Sequence, residues 1–185
     1  YKKRVIANII FCGKTKGNDM HGPLQRLFEY KAWANDALLN ALAKLDGESP
    51  IMGLAIKALS HSHVVDRIFA AHMKQETHGY ASANLTEMPK LEDLSADIRA
   101  SDRDYIDYVS ALDPRALAES IRFTFTDGAA GCMSREEMLL HVITHGVGHR
   151  GQISAVMILN GMTPVKDGFT TYLHEAEAAM RRRAA

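Results

Sequence analysis

The nine histidines are the residues of this sequence best suited to chemistry. Three of them, His141, His145 and His149, follow one another at intervals of four. On a helix, positions i and i+4 lie one above the other on the same face. Two imidazoles so placed can ligate one metal ion and leave room for a ligand from another element and for water or substrate. All three cannot share an ion, because i and i+8 are roughly 12 Å apart along a helix axis. One adjacent pair is therefore the candidate, and spacing alone leaves open which. A second group, His61 and His63, points in directions about 200° apart on a helix. Leu54, Ala58, His61, Val65 and Ile68 keep a three-to-four-residue stride that puts His61 on an apolar stripe. His63 falls towards Ser60 and Arg67, so His61 is the expected third ligand. A lone helical histidine is ordinarily a surface or satisfied core residue. A His-x-x-x-His pair facing a third inward histidine is a stronger signal, because interiors avoid unpaired polar groups. His21 and His174 lie near element ends and, like His72 and His78, are expected to have ordinary roles.

Gly146 stands where the His-Glu-x-x-His metalloproteases carry their general base, which excludes that mechanism. Gly146 and Gly148 each cost a helix roughly 1 kcal/mol relative to Ala, so close helix approach or room beside a metal is expected there.

These residues need long helices to position them. Leu24, Leu27, Phe28, Ala32, Trp33, Leu38, Leu39 and Leu42 predict a first helix from about Pro23 to Leu45, ended by Asp46-Gly47. Ser49-Pro50 reads as the cap and first turn of a second, running to about Thr77. A polar loop covers Gly79 to Pro89, and a charged amphipathic helix covers Leu91 to Leu112, with Asp113-Pro114 at its end. The alternation from Ile121 to Thr126 and the Asp127-Gly128 turn signal predict a small hairpin before residue 134. Ser134-x-x-Glu137 is a capping box for a fourth long helix over Arg135 to Leu159, which Asn160-Gly161 and Pro164 close. A short fifth helix is predicted over Thr170 to Arg183. The expected fold is all-α: an up-down four-helix bundle with a small β-hairpin between helices 3 and 4 and a short C-terminal helix.

Composition narrows the function. The 185 residues carry 22 basic and 22 acidic side chains, which leaves no basic excess for a nucleic-acid partner. Two cysteines make neither a disulfide framework nor a Cys-rich zinc site, and they fit a reducing cytoplasm. The apolar run Val5 to Cys12 follows Lys2, Lys3 and Arg4 but falls far short of the roughly 20 residues of a membrane span. No membrane partner is expected. Residues 1–19 are expected to be an appended or misassigned upstream segment, or else an arm that packs on the domain or on a second subunit. Residues 20–185 are expected to form a single domain.

Three segments resemble the DinB/YfiT-like family of small helical metalloproteins, the damage-inducible DinB proteins. They are Phe28-Glu29-Tyr30-Lys31-Ala32-Trp33-Ala34-Asn35, then Leu59 to Phe69 with His61 in the ligand place, and the run from His141 to Gln152. That last run holds His145-x-x-x-His149-Arg150-Gly151-Gln152 and is the most specific of the three. Phe69 stands where the family usually has an aromatic residue, often Trp. The resemblance covers about residues 20–173. It implies a four-helix bundle with one divalent transition metal held by His61, His145 and His149. His141, one turn upstream, takes a supporting place.

Three neutral imidazoles suit zinc or nickel foremost, with iron, cobalt and manganese also chemically acceptable. The resemblance further implies a metal-dependent enzyme acting on a small molecule: a thiol-dependent S-transferase with a low-molecular-weight thiol cosubstrate, or a hydrolase. The alternative is a non-enzymatic stress-response protein whose metal is structural or sensory. A homodimer is the family's expectation. Trp33, Tyr30 and Phe69 are candidate pocket residues, though aromatics at helical spacing are more often core. Asn35 is a candidate to support a ligand histidine or the helix packing. Arg150 is a candidate to meet an anionic substrate or to pair with an aspartate of the third helix.

Overall fold

The computed structural model describes residues 22–176 and 178. The expectations for residues 1–19, and for the end of the predicted fifth helix after residue 178, lie outside the described residues. The chain is mostly helical. α1 spans Pro23–Leu42, α2 Met52–Lys74, α3 Leu91–Ser110, α4 Pro114–Leu117, α5 Arg135–Leu159 and α6 Phe169–Glu175, while β1 (Ser120–Thr124) and β2 (Ala130–Ser134) form an antiparallel hairpin. The predicted elements are present, with boundaries moved by local chemistry. α1 stops at Leu42, ahead of Asp46-Gly47. Ser49 and Pro50 lie in a turn before α2, where the Met52 N–H donates to the Ser49 carbonyl at 2.9 Å. α2 ends at Lys74 because Gln75 takes a left-handed backbone (φ 57°), which stops the helix without a glycine. Asp113-Pro114 ends α3 and also starts α4, an element not foreseen: the Ala116 N–H donates to Asp113 Oδ1 at 2.7 Å. The capping box of Ser134 and Glu137 opens α5, and Gly161 at φ 72° follows its end.

α1 packs against α3 and α5, and α2 packs against the same two helices. Two apolar clusters fill the interior. One joins Phe28, Phe69, Tyr105, Met138 and Val142; the other joins Leu38, Leu42, Leu59, Ile98 and Ile153. Their membership fixes the helix directions. α2 and α3 both run from the second cluster to the first, whereas α1 and α5 run the other way. Strictly alternating directions are therefore corrected: α2 and α3 are parallel, and the segment 75–90 must travel back along the molecule between them. Parallel neighbours require a long crossover, whereas short loops serve only antiparallel ones.

Between the clusters each long helix contributes buried polar residues: Lys31 and Asn35 from α1, Ser62 and Asp66 from α2, Ser101 and Asp102 from α3, Arg150 from α5. This polar waist is the level at which the candidate site lies.

Candidate metal centre

His61 projects from α2, and His145 and His149 from adjacent turns of α5. All three are half-buried, and one ligand atom from each falls within 4.8 Å of the others. The Nε2 atoms of His145 and His149 are 3.1 Å apart. Two nitrogens bound at 2.0–2.1 Å to a tetrahedral ion would lie about 3.3 Å apart, so the pair is set at ligating separation. The other ring nitrogens of two of the histidines have acceptors. His61 Nδ1 lies 3.2 Å from Asn84 Oδ1, and His149 Nδ1 lies 2.9 Å from Gln152 Oε1. Each carbonyl oxygen accepts a hydrogen bond from the Nδ1 N–H and leaves Nε2 with its lone pair free, the tautomer that ligation through Nε2 requires. His145 Nδ1 is buried without a partner. Burial, followed by the neighbouring imidazoles of His149, His141 and His61, holds His145 down at about 4. Burial also lowers His149, with the Gln152 hydrogen bond acting the other way. Neutral, convergent imidazoles fit a divalent transition ion by donor type and spacing.

A cavity of about 400 Å³ opens between α2 and α5 beside the histidines. Ile51, Leu54, Ala55, Ala58, Ile153 and Val156 form its apolar walls, and His61, His149, Asn84, Gln152 and Lys57 supply its polar groups. Leu54 is 56% exposed and Ala58 and His61 are half-buried, so the stripe that located His61 is buried only at Val65 and Ile68, while its first three members line the cavity.

The supporting residues divide into those near the site and those held elsewhere. His141 stacks on His145 with ring centres 5.4 Å apart, and Phe69 lies against His141 at 4.6 Å. Tyr30 and Trp33 pack instead with Phe169 and Tyr172 of α6 and are absent from the cavity walls. Asn35 touches no histidine: its Nδ2 donates to Asp102 Oδ2 at 2.8 Å, and its Oδ1 accepts from Arg150 Nη1 at 3.0 Å. Arg150 is sealed inside at 2% exposure, where no substrate meets it. Its partner is Asp167, from the α5–α6 loop, at 2.7 Å rather than an aspartate of α3. Gly146 lies beneath the same network. A Cβ there would sit 3.4 Å from Arg150 Nη1 and 3.6 Å from Lys31 Cε, in ordinary van der Waals contact, so Gly146 faces the buried cations and not the histidines. His63 stands outside the histidine cluster, and burial lowers it; the charges that act on it include Asp97, Arg67 and Asp102. His174 Nδ1 contacts the Thr170 carbonyl within α6, a local role.

Two residues at the site escaped the sequence reading. Gln152 carried a readable signal, the i,i+3 spacing from His149. Asn84 carried none, because a crossover loop has no periodicity to place it.

Among the described residues no helix is long and apolar enough to cross a membrane. The family model described as "DinB family" matches residues 20–183. "Protein DinB" of Bacillus subtilis (strain 168) is 25% identical over 171 residues, which cover 80% of this chain and 92% of that protein. A match across nearly the whole length, containing all three convergent histidines, places the chain in the DinB family.

Proposed function

We propose that this protein is a metal-dependent enzyme whose centre holds one divalent transition ion, zinc or nickel foremost, on His61, His145 and His149. Residues 20–185 act as one domain in which the four long helices form a bundle around that site. The observation that carries the reading is the cavity walled by two of the three histidines: a purely structural ion needs no adjoining space, whereas a substrate does. An ion held there would supply Lewis acidity towards an oxygen or sulfur group of a small molecule. The chain's own residues do the rest. Asn84 and Gln152 orient His61 and His149, His141 stacks on His145 with Phe69 behind it, and the apolar walls exclude water from a bound molecule's body. The lead reactions are thiol-dependent S-transfer and hydrolysis. Stripping the ion with a chelator should abolish thiol-transfer or hydrolase turnover, and restoring zinc or nickel should recover it. Undiminished turnover by the stripped protein would overturn this reading.

A further inference from the structure

The walls of the cavity also say what kind of molecule it takes, an inference that rests on the metal reading for one end of that molecule only. Ile51 and then α2 as far as His61 line the cavity, a stretch that extends about 15 Å along the helix axis. α5 lines it from His149 to Val156. The histidines therefore stand at one end of an elongated space whose remaining walls are aliphatic. Two of its polar residues are already engaged, Asn84 with His61 and Gln152 with His149. No aspartate or glutamate lines it. Lys57 is different: this exposed lysine lines the cavity and has no ion-pair partner among the described residues. It sits four residues before His61, one helical turn or about 6 Å along the same face. A single cation among aliphatic walls, with no carboxylate to oppose it, selects by charge as well as by shape.

We propose that the substrate is an amphipathic acid: a slender apolar body with a metal-seeking group at the histidine end and a carboxylate, or a comparable anion, bound by Lys57. The apolar body gives the affinity, and Lys57 sets the direction in which the molecule lies. A neutral apolar compound would enter equally well without that direction, and this is the outcome the test must separate.

The test compares mercaptohexanoate with mercaptohexanol, which share a thiol head and a hexyl body and differ only in the far group. Binding is read twice. The first reading is the absorption spectrum of the cobalt-loaded protein, which reports the thiol end. The second is displacement of the neutral fluorophore phenylnaphthylamine from the cavity, which needs no metal. The acid should bind about fivefold more tightly than the alcohol at low salt, the upper range for one exposed charge pair. Lys57→Gln should erase that preference while leaving the alcohol unchanged, and Lys57→Glu should reverse it. Equal binding of acid and alcohol by either reading, or a preference that survives Lys57→Gln, would overturn the proposal. A missing cobalt spectrum would sink the metal reading alone, because the fluorophore still decides the preference for the acid.

Discussion

Two polar regions occupy the same waist of this molecule and are built differently. On the α2–α5 face, three imidazoles converge half-exposed, with lone pairs that have no proton donor from the protein beyond one another. Inside, Lys31 bridges Asp66 at 2.8 Å and Asp102 at 2.6 Å, and Asn35 links Asp102 to Arg150, which pairs with Asp167. The Tyr30 hydroxyl donates to Asp167 and closes the chain of contacts. The inner region is sealed and ion-paired, although Asp66 Oδ1 and Ser101 Oγ have no partner among the described residues; the outer one is open and spaced to hold an ion. α5 serves both by alternation. His145 and His149 face outward, and their immediate neighbours Gly146 and Arg150 face inward, since each residue turns the helix by about 100°. The buried ion pairs thus fix the rotation of the helix that presents two of the ligands.

The largest effect that can break this comparison comes from Lys31→Met. It leaves Asp66 and Asp102 buried without their cation, and breaking a buried pair in this way costs about 3–5 kcal/mol. The metal-free protein should lose roughly 10 °C in Tm. His149→Ala, at the outer region, should change the metal-free Tm by only a few degrees. Equal losses in the two variants would mean that the inner network carries no special share of the stability.

A smaller effect separates the partners of Lys31. Burial raises Asp66 to about 6, outweighing Lys31, and its Oδ1 lacks a partner. The folded value lies above the unfolded one. The stability contributed by Asp66 is therefore fully present below 3.8 and is lost as pH rises through about 6. Asp66→Asn cannot ionise, so its urea midpoint should gain on the wild type as pH rises through that window. A gain that shrinks with rising pH would contradict the assignment.

The smallest effect concerns the two helix glycines. A Cβ at Gly148 meets nothing within 4 Å, so Gly148→Ala should add up to about 1 kcal/mol of helix stability. Gly146→Ala should add a comparable amount, because its Cβ would sit in ordinary van der Waals contact with Arg150 and Lys31. Thermal unfolding of the two variants checks both gains, and a loss in Gly146→Ala alone would mean that the inner network needs the space of the missing Cβ.

The contrast also marks what could be read without coordinates. The outer region was legible because ligand geometry is local: His145 and His149 are one turn apart, and the apolar stride of α2 carries His61 inward. The inner region was legible in principle. Lys31 keeps the stride of Phe28, Asn35 and Leu38, and Asp102 that of Ile98 and Tyr105, so both lie on the buried faces of their helices. Placing a charge on such a stripe does not identify its partner, because Lys31, Asp66 and Asp102 meet across three helices. The parallel run of α2 and α3 was not legible at all. Periodicity gives each helix a buried face but no direction, and the crossover that sets the direction is an aperiodic loop. That same loop carries Asn84 to His61.

Among the described residues, the three convergent imidazoles are the set spaced to hold a tight metal ion. Elemental analysis of the wild type and of His149→Ala, after zinc or nickel loading and gel filtration, tests this assignment most directly. About one divalent transition ion per wild-type chain is expected and none retained by the variant, with both proteins equally helical. A folded His149→Ala protein that still keeps one tight ion per chain would contradict it.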